Sequence, residues 1–382
     1  MPENKTAPEI RFAGYTEPWQ ERRLGEVLQE IGAGKSKFSI NEKTAVFCFE
    51  ILGSTSVIGY DDSFDYDGEF ILTARVGANA GTLYRHKGKV KISDNTVYLK
   101  GENLDFIQAL LTKFDLTKLS FGTGQPLIKS SELRQLDVII PRSLAEQQQI
   151  GEFFRTLDEA ITLRQRKLEG LRELKRGYLQ QMFPKAGERV PRVRFAGFDG
   201  EWQERKLGEV ADVKMCRRIF NEETSASGDI PFYKIGTFGG KADAYITQEK
   251  FEEYKEKYPY PEIGDVLISA AGTIGRTVVY RGEKEYFQDS NIVWLKTDKT
   301  KLTNIFLEQF YEITDWSGIE GTTIKRLYNA NILATMIKLP SLAEQTKIGE
   351  FFRALDGQIT VQAEKVEQLK RMKAAYLQKM FV

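Results

Sequence analysis

Apolar positions after Leu144 recur in alternating steps of three and four: Ile150, Phe154, Leu157, Ile161, Leu168, Leu171, Tyr178 and Met182. Arg164 and Lys175 hold the two steps that lack an apolar residue. The same pattern returns at Ile348, Phe352, Leu355, Ile359, Val366, Leu369, Tyr376 and Met380, with Gln362 and Lys373 as the polar members. Each run is a heptad seam of about five heptads, the mark of a helix that packs along its length. Each opens with a serine followed three residues later by a glutamate (Ser143/Glu146, Ser341/Glu344). That spacing predicts a capping box, in which hydroxyl and carboxylate satisfy free N–H groups of the first turn. The first helix is expected to stop near Pro184 and the second to run to Val382. At about 1.5 Å per residue, a helix from Ala145 to Phe183 is roughly 58 Å long. A single apolar stripe of that length needs a partner, and the other copy is the natural one, with Arg164 and Lys175 fixing register.

The segments between these helices alternate differently. Phe70 to Arg85 and Asp265 to Arg281 each read as strand, glycine turn and strand, and Thr96 to Lys100 matches Ile292 to Lys296 as a further strand. Leu136 to Pro141 and Met336 to Pro340 are apolar strands that stop at proline. These patterns predict a compact α/β (α+β) unit in each of 11–142 and 194–340, joined by a linker over Pro184 to Val193.

The frame around these units is written twice. RFAGYTEPWQERRLGEV at Arg11 to Val27 returns as RFAGFDGEWQERKLGEV at Arg194 to Val210, 183 residues later, with 12 of 17 positions identical. SLAEQQQIGEFFRTLDEAIT at Ser143 to Thr162 returns as SLAEQTKIGEFFRALDGQIT at Ser341 to Thr360, 198 residues later, with 15 of 20 identical. The stretch enclosed is 15 residues longer in the second copy and nearly unrelated in sequence. Pro8 matches Pro191 at the first offset, so the N-terminal arm is expected to pack near the end of the second helix as the linker packs near the first.

Composition sets limits. With 382 residues, 41% hydrophobic and 29% charged, the chain reads as folded domains rather than as disorder. It shows no apolar run of transmembrane length and no apolar segment behind MPENKTAPEI, and it has two cysteines, Cys48 and Cys216. These features suggest a cytoplasmic protein with no membrane partner. The formal net charge of +1 implies that, if the chain binds nucleic acid, other subunits supply much of the phosphate contact.

Catalytic patterns fail when tested. Gly32-Ala33-Gly34-Lys35-Ser36 lacks the glycine that a phosphate loop needs at position 29, which is Gln29. Asp65-x-Asp67-Gly68 has Ser63 and Ala74 where a calcium loop needs ligands. His86 is the one histidine, and no nucleophile elbow or zinc motif accompanies it. The expectation is a chain with no catalytic residue, no metal site and no bound cofactor.

Binding chemistry is more visible. The loops Gly32 to Phe38 and Met215 to Phe220 follow the leading block at matching places and carry Lys35, Lys37, Arg217 and Arg218. Phe121 to Ile128 and Glu320 to Leu327 also correspond, carrying Thr123, Gln125, Thr322, Lys325 and Arg326. Arg75, Asn79, Asn95, Thr273, Arg276 and Asn291 are of the same types, those that contact phosphates and base edges.

The paired SLAEQ…IGEFF…LD…IT blocks and their Y-L-Q-x-M-F ends resemble the specificity subunit of type I restriction-modification systems, over essentially the whole chain. The turn Gly122 to Pro126 is also similar to that family's domains, whereas Thr323-Ile324 replaces Gly124-Gln125 in the second copy. The resemblance implies two target recognition domains (1–142 and 185–340), each reading half of a bipartite asymmetric site in double-stranded DNA. It implies that the helices (143–184 and 341–382) form an antiparallel coiled-coil spacer with pseudo-two-fold internal symmetry. At about 3.4 Å per base pair, the helix length caps the half-site separation at about 17 base pairs. The resemblance further implies two modification (methyltransferase) subunits that bring S-adenosylmethionine, and restriction subunits that bring ATP-driven translocation and Mg2+-dependent cleavage. The other reading is a coiled-coil adaptor that joins protein partners without sequence-specific DNA binding; the basic loops weigh against it.

Overall fold

The computed structural model describes residues 7–35, 38–119, 127–320 and 325–382. They divide into two compact units, one made of residues up to Arg166 together with Ala363–Val382, the other of Lys167–Gln362. Both are mixed α/β.

In the first unit the leading block supplies strand β1 (Gln20–Arg23) and a short helix α1 (Leu24–Val27). There follow β2 (Glu30–Ala33), β3 (Phe49–Leu52), β4 (Val57–Asp61), β5 (Tyr66–Ala74), β6 (Leu83–Ile92) and β7 (Thr96–Lys100). These six form one sheet in the order β2-β7-β5-β6-β3-β4. Helices α2 (Leu104–Phe114) and α3 (Ser130–Gln135) lead to β8 (Asp137–Ile140), which pairs antiparallel with β1. The long helix α4 (Leu144–Met182) begins directly after that pair. Residues Phe70–Ala74 of β5 are fully buried, as the unbroken run FILTA requires of a central strand. The strand–turn–strand expected over 70–85 is β5 and β6, and Thr96 to Lys100 is β7.

The second unit repeats this plan with additions. After β9 (Gln203–Lys206) come β10 (Ala211–Lys214), β11 (Ile230–Tyr233), β12 (Ala244–Ile246), helix α5 (Gln248–Lys257), β13 (Val266–Ser269), β14 (Thr277–Val279), β15 (Tyr286–Phe287) and β16 (Ile292–Thr297). Helices α6 (Asn304–Ile313) and α7 (Asn329–Ala334), strand β17 (Met336–Leu339) and long helix α8 (Leu342–Lys379) complete the chain. The sheet order β10-β16-β13-β14 reproduces β2-β7-β5-β6 strand for strand. Where the first unit extends its sheet with β3-β4, the second builds a separate sheet β12-β11-β15. β9 pairs with β17 as β1 does with β8. Segments with almost no sequence identity thus share a four-stranded core, because alternation and burial, rather than particular residues, specify a sheet.

Each unit is closed by a helix end from elsewhere in the chain. In the first, Phe381 packs against Trp19, Phe106 and Phe154, with ring centroids 6.2, 5.7 and 5.7 Å apart. In the second, Phe183 packs against Trp202 and Phe306 at 5.9 and 5.2 Å. Ile10 N–H donates to the Lys379 carbonyl (2.9 Å), and Val193 N–H to that of Gln181 (3.0 Å), so the arm and the linker dock alike, as the Pro8/Pro191 match predicts. Helix α8 was expected to reach Val382 but stops at Lys379, because Phe381 turns into the core.

The helices run antiparallel within each unit. Phe153 meets Tyr376 (5.0 Å) and Lys373 Nζ meets Asp158 Oδ1 (2.5 Å) in the first; Phe351 meets Tyr178 (5.1 Å) and Lys175 Nζ meets Asp356 Oδ1 (2.7 Å) in the second. Ile150, Phe154, Leu157, Ile161 and Val366 are buried in the first unit, with Leu369 and Tyr376 half-buried. Leu168, Ile348, Phe352 and Leu355 are buried in the second, with Leu171, Tyr178 and Ile359 half-buried. The first turns of each helix pack on the unit's own core together with the end of the other helix: Ile150 and Phe154 share a cluster with Leu377, and Ile348 and Phe352 share one with Leu179. Burial opposes the charge of the seam residue Lys175, but hydrogen bonds to Asp356 and Glu312 outweigh it and hold the ammonium above its ordinary range.

The capping-box expectation needs correction. Ser143 Oγ does accept from Glu146 N–H (3.4 Å), and Ser341 Oγ from Glu344 N–H (3.3 Å). The carboxylates, however, turn inward. Glu146 accepts from Arg11 Nε (2.5 Å) and Nη2 (2.8 Å) and from Trp19 Nε1 (3.3 Å), and Glu344 from Arg194 Nε and Nη2 (both 2.7 Å). A bidentate guanidinium satisfies a buried carboxylate better than one backbone N–H does. The arginine of the leading block and the glutamate of the helix block are therefore two halves of one lock, present once in each unit.

Candidate nucleic-acid interface

In the first unit three loops are tied together by backbone hydrogen bonds. Gly34 N–H donates to the Thr96 carbonyl (3.0 Å) and Lys35 N–H to that of Ile92 (2.9 Å), which sets the loop after β2 against the β6–β7 turn. Arg75 N–H donates to the Asn95 carbonyl and Ile128 N–H to that of Arg75, both at 2.8 Å. Lys35, Arg75 and Asn95 therefore meet beside Leu127 and Ile128. Asn79 projects from the adjoining β5–β6 turn, where Thr82 N–H donates to its carbonyl (3.0 Å). Lys35, Asn79 and Asn95 are exposed and Arg75 is half-buried.

The second unit repeats the two bonds around Arg75 with other side chains. Ala270 N–H donates to the Asn291 carbonyl (2.8 Å), Leu327 N–H to that of Ala270 (2.9 Å) and Gly272 N–H to that of Lys325 (3.0 Å). Thr273, Asn291, Lys325 and Arg326 come together in this way, all exposed except the half-buried Asn291, and the exposed Arg276 follows on the same turn, its backbone carbonyl accepting from Ser269 N–H (2.9 Å). Arg218 Nε donates to Asp289 Oδ2 (2.6 Å), which ties the Arg217–Arg218 loop to the same turn. Lys37, Thr123, Gln125 and Thr322 lie outside the described residues.

Local acids and carbonyls occupy much of the basic charge. Lys35 Nζ lies 3.6 Å from Asp65 Oδ1, Arg75 Nη1 reaches the Asp94 carbonyl (3.4 Å) and Arg276 Nη1 the Phe238 carbonyl (2.8 Å). Sequence reasoning missed two contributors in the second unit. Tyr254 and Tyr258, with Arg217, Arg218, Phe220 and Asp289, line a cleft of about 530 Å³. The guanidinium of Arg217 lies over the Tyr258 ring, 5.3 Å from its centroid. The aromatic run YKEKYPY at 254–260 was the available signal, yet on a chain with 12% aromatic residues it did not stand out. Among the described residues no cluster of histidine, cysteine, aspartate and glutamate could hold a metal ion, and no helix is long and apolar enough to cross a membrane.

Two sets of converging loops, alike in backbone and different in side chains, suit two related but distinct recognition tasks. A family profile described as the type I restriction modification DNA specificity domain matches residues 16–173 and 199–371. A Haemophilus influenzae protein, whose name assigns it to type I restriction enzyme specificity subunits, is 36% identical over 317 residues, covering 78% of this chain and 77% of its own. The type I restriction enzyme MjaVIII specificity subunit of Methanocaldococcus jannaschii is 22% identical over 387 residues, covering 94% and 90%. The crystal structure of the type I restriction-modification S subunit from M. genitalium has the same fold, with a TM-score of 0.69 at 17% identity over 98% of this chain and 99% of its own.

Proposed function

Because the chain belongs to the type I restriction modification DNA specificity family, we propose that it reads a bipartite, asymmetric double-stranded DNA target, one half-site per unit. The observation that carries this reading is the duplicated loop convergence: two matching backbone bonds join the loops at Arg75, Asn95 and Ile128 in one unit and at Ala270, Asn291 and Leu327 in the other, with Lys35 and Asn79 beside the first set and Arg218, Thr273, Lys325 and Arg326 beside the second. Equal scaffolds with unequal side chains favour reading two different sequences, since direct readout resides in the side chains that reach base edges.

The chain is a non-catalytic scaffold in this reading. Two modification subunits bring S-adenosylmethionine, restriction subunits bring ATP and Mg2+, and the assembly works on genomic DNA in the cytoplasm. Repetition on the helix surfaces supports two copies of one partner. Leu144 and Leu342, Leu163 and Val361, and Leu174 and Met372 are pairs 198 residues apart, and all six side chains are exposed. Each unit thus carries three exposed apolar positions of the same design, and a surface that occurs twice suits a partner that binds twice. The near-zero net charge fits a complex in which partners supply phosphate contacts.

The test is a map of methylated adenines in cells that express the chain with its modification subunits. A two-part motif with a fixed gap is expected, and a single continuous motif would overturn the proposal. Purified alone, the chain should neither methylate nor cut DNA.

A further inference from the structure

We infer that Arg217 is the side chain through which the second unit reads a guanine in the major groove. The inference rests on the DNA-reading function proposed above and adds to it the residue and the base. Arg217 sits on a pinned stretch of backbone. Its neighbour Cys216 is buried, Ile219 is buried, and the hydroxyl of Tyr286, itself wholly buried, donates to the Arg217 carbonyl (3.1 Å). The guanidinium projects outward over the Tyr258 ring into the cleft shared with Phe220 and Tyr254.

Arg217 and Arg218 differ in what holds them. Arg218 is committed to Asp289 through its Nε and would have to loosen that ion pair to contact DNA. Among the described residues Arg217 makes no ion pair, and a tyrosine face holds its guanidinium through the ring's electron density. A guanidinium held by its face keeps its edge N–H donors free, and two parallel donors match the O6 and N7 acceptors that guanine presents in the major groove. By strand register, with Ile31 opposite Leu99 and Val213 opposite Leu295, the equivalent position in the first unit is Lys35, a point-charge donor beside Asp65, so the two units present different donor geometry here.

The experiment uses the full chain assembled with its modification subunits and the target duplex defined by the methylation map. Each guanine of the second unit's half-site is replaced in turn by 7-deazaguanine, which keeps base pairing but lacks the N7 acceptor. One replacement should weaken binding on the order of tenfold for the parent chain and cause no further loss in Arg217→Ala. Tyr258→Phe should preserve discrimination at that position and Tyr258→Ala should reduce it. Retained discrimination at the other positions of the second half-site reports that each variant is folded, and Arg217→Gln, which should also lose the response to that one replacement, serves as a second variant. The inference is overturned if Arg217→Ala weakens target and scrambled duplexes equally, or changes nothing, or if no guanine replacement matters. If the parent chain itself fails to tell target from scrambled DNA, the DNA-reading proposal falls and takes this inference with it.

Discussion

Arg11 and Glu146 are 135 positions apart in the chain and within hydrogen-bond distance in the fold. Their recurrence as Arg194 and Glu344 explains why the leading block and the helix block are copied together although a whole domain separates them. Removing the arginine leaves a buried carboxylate without its strongest partner, a loss of about 3 kcal/mol. Arg11→Ala should therefore speed amide hydrogen exchange across the first unit's core and spare the second, while Arg194→Ala does the reverse; equal effects in both units would show that the locks are not local. A cysteine prediction belongs to the same scale. Burial pushes the Cys216 thiol up to about 12, whereas Cys48 is exposed. Alkylation followed by mass spectrometry should modify Cys48 first and Cys216 only as the second unit opens. Because an unfolded thiol ionises near pH 8.5, ionisation favours the opened state as pH rises above that value. Protection of Cys216 should accordingly weaken with alkalinity. At this scale little was legible beforehand: Ser143/Glu146 carries a capping-box spacing, and nothing local reveals that a distant arginine takes the carboxylate.

The long helices show at the scale of elements how periodicity and packing divide the work. Steps of three and four predicted both helices, and α4 covers the 39 residues Leu144–Met182. Glycine inside a helix costs about 1 kcal/mol relative to alanine, so Gly151 and Gly349 look like flaws in the pattern. A Cβ at Gly151 would lie 2.6 Å from the Phe106 backbone nitrogen, and one at Gly349 would lie 2.5 Å from Ile305 Cγ1. The helices approach α2 and α6 too closely for any side chain. Gly151→Ala should therefore lower stability despite its better helix propensity, and a stabilised variant in thermal denaturation would contradict this account. Phe381 is the other element-level case. It lies beyond the end of α8 but at the centre of the first unit's core, so Phe381→Ala should cost about 3–5 kcal/mol. Hydrogen exchange should register the loss in residues 7–166 and not in 167–362.

Modularity is the main consequence for the whole molecule. Each unit keeps the same frame and holds a different insertion, so replacing residues 28–142 by the matching stretch of another family member should change one half of the methylated motif. A change in both halves would count against independent units. Much of this organisation could be read from the chain because it rests on local regularities. The duplication, the heptad seams, the strand–turn–strand patterns and the Pro8/Pro191 match all follow from periodicity and identity, which a linear sequence records directly. Tertiary structure alone decided the rest. It gave unrelated insertions a common sheet, since burial on two faces constrains polarity and leaves residue identity free. It turned Glu146 and Glu344 from caps into locks, and it brought Arg217 over Tyr258 and Arg218 onto Asp289. Those outcomes depend on which distant groups meet, and the spacing of residues along a chain carries no record of that.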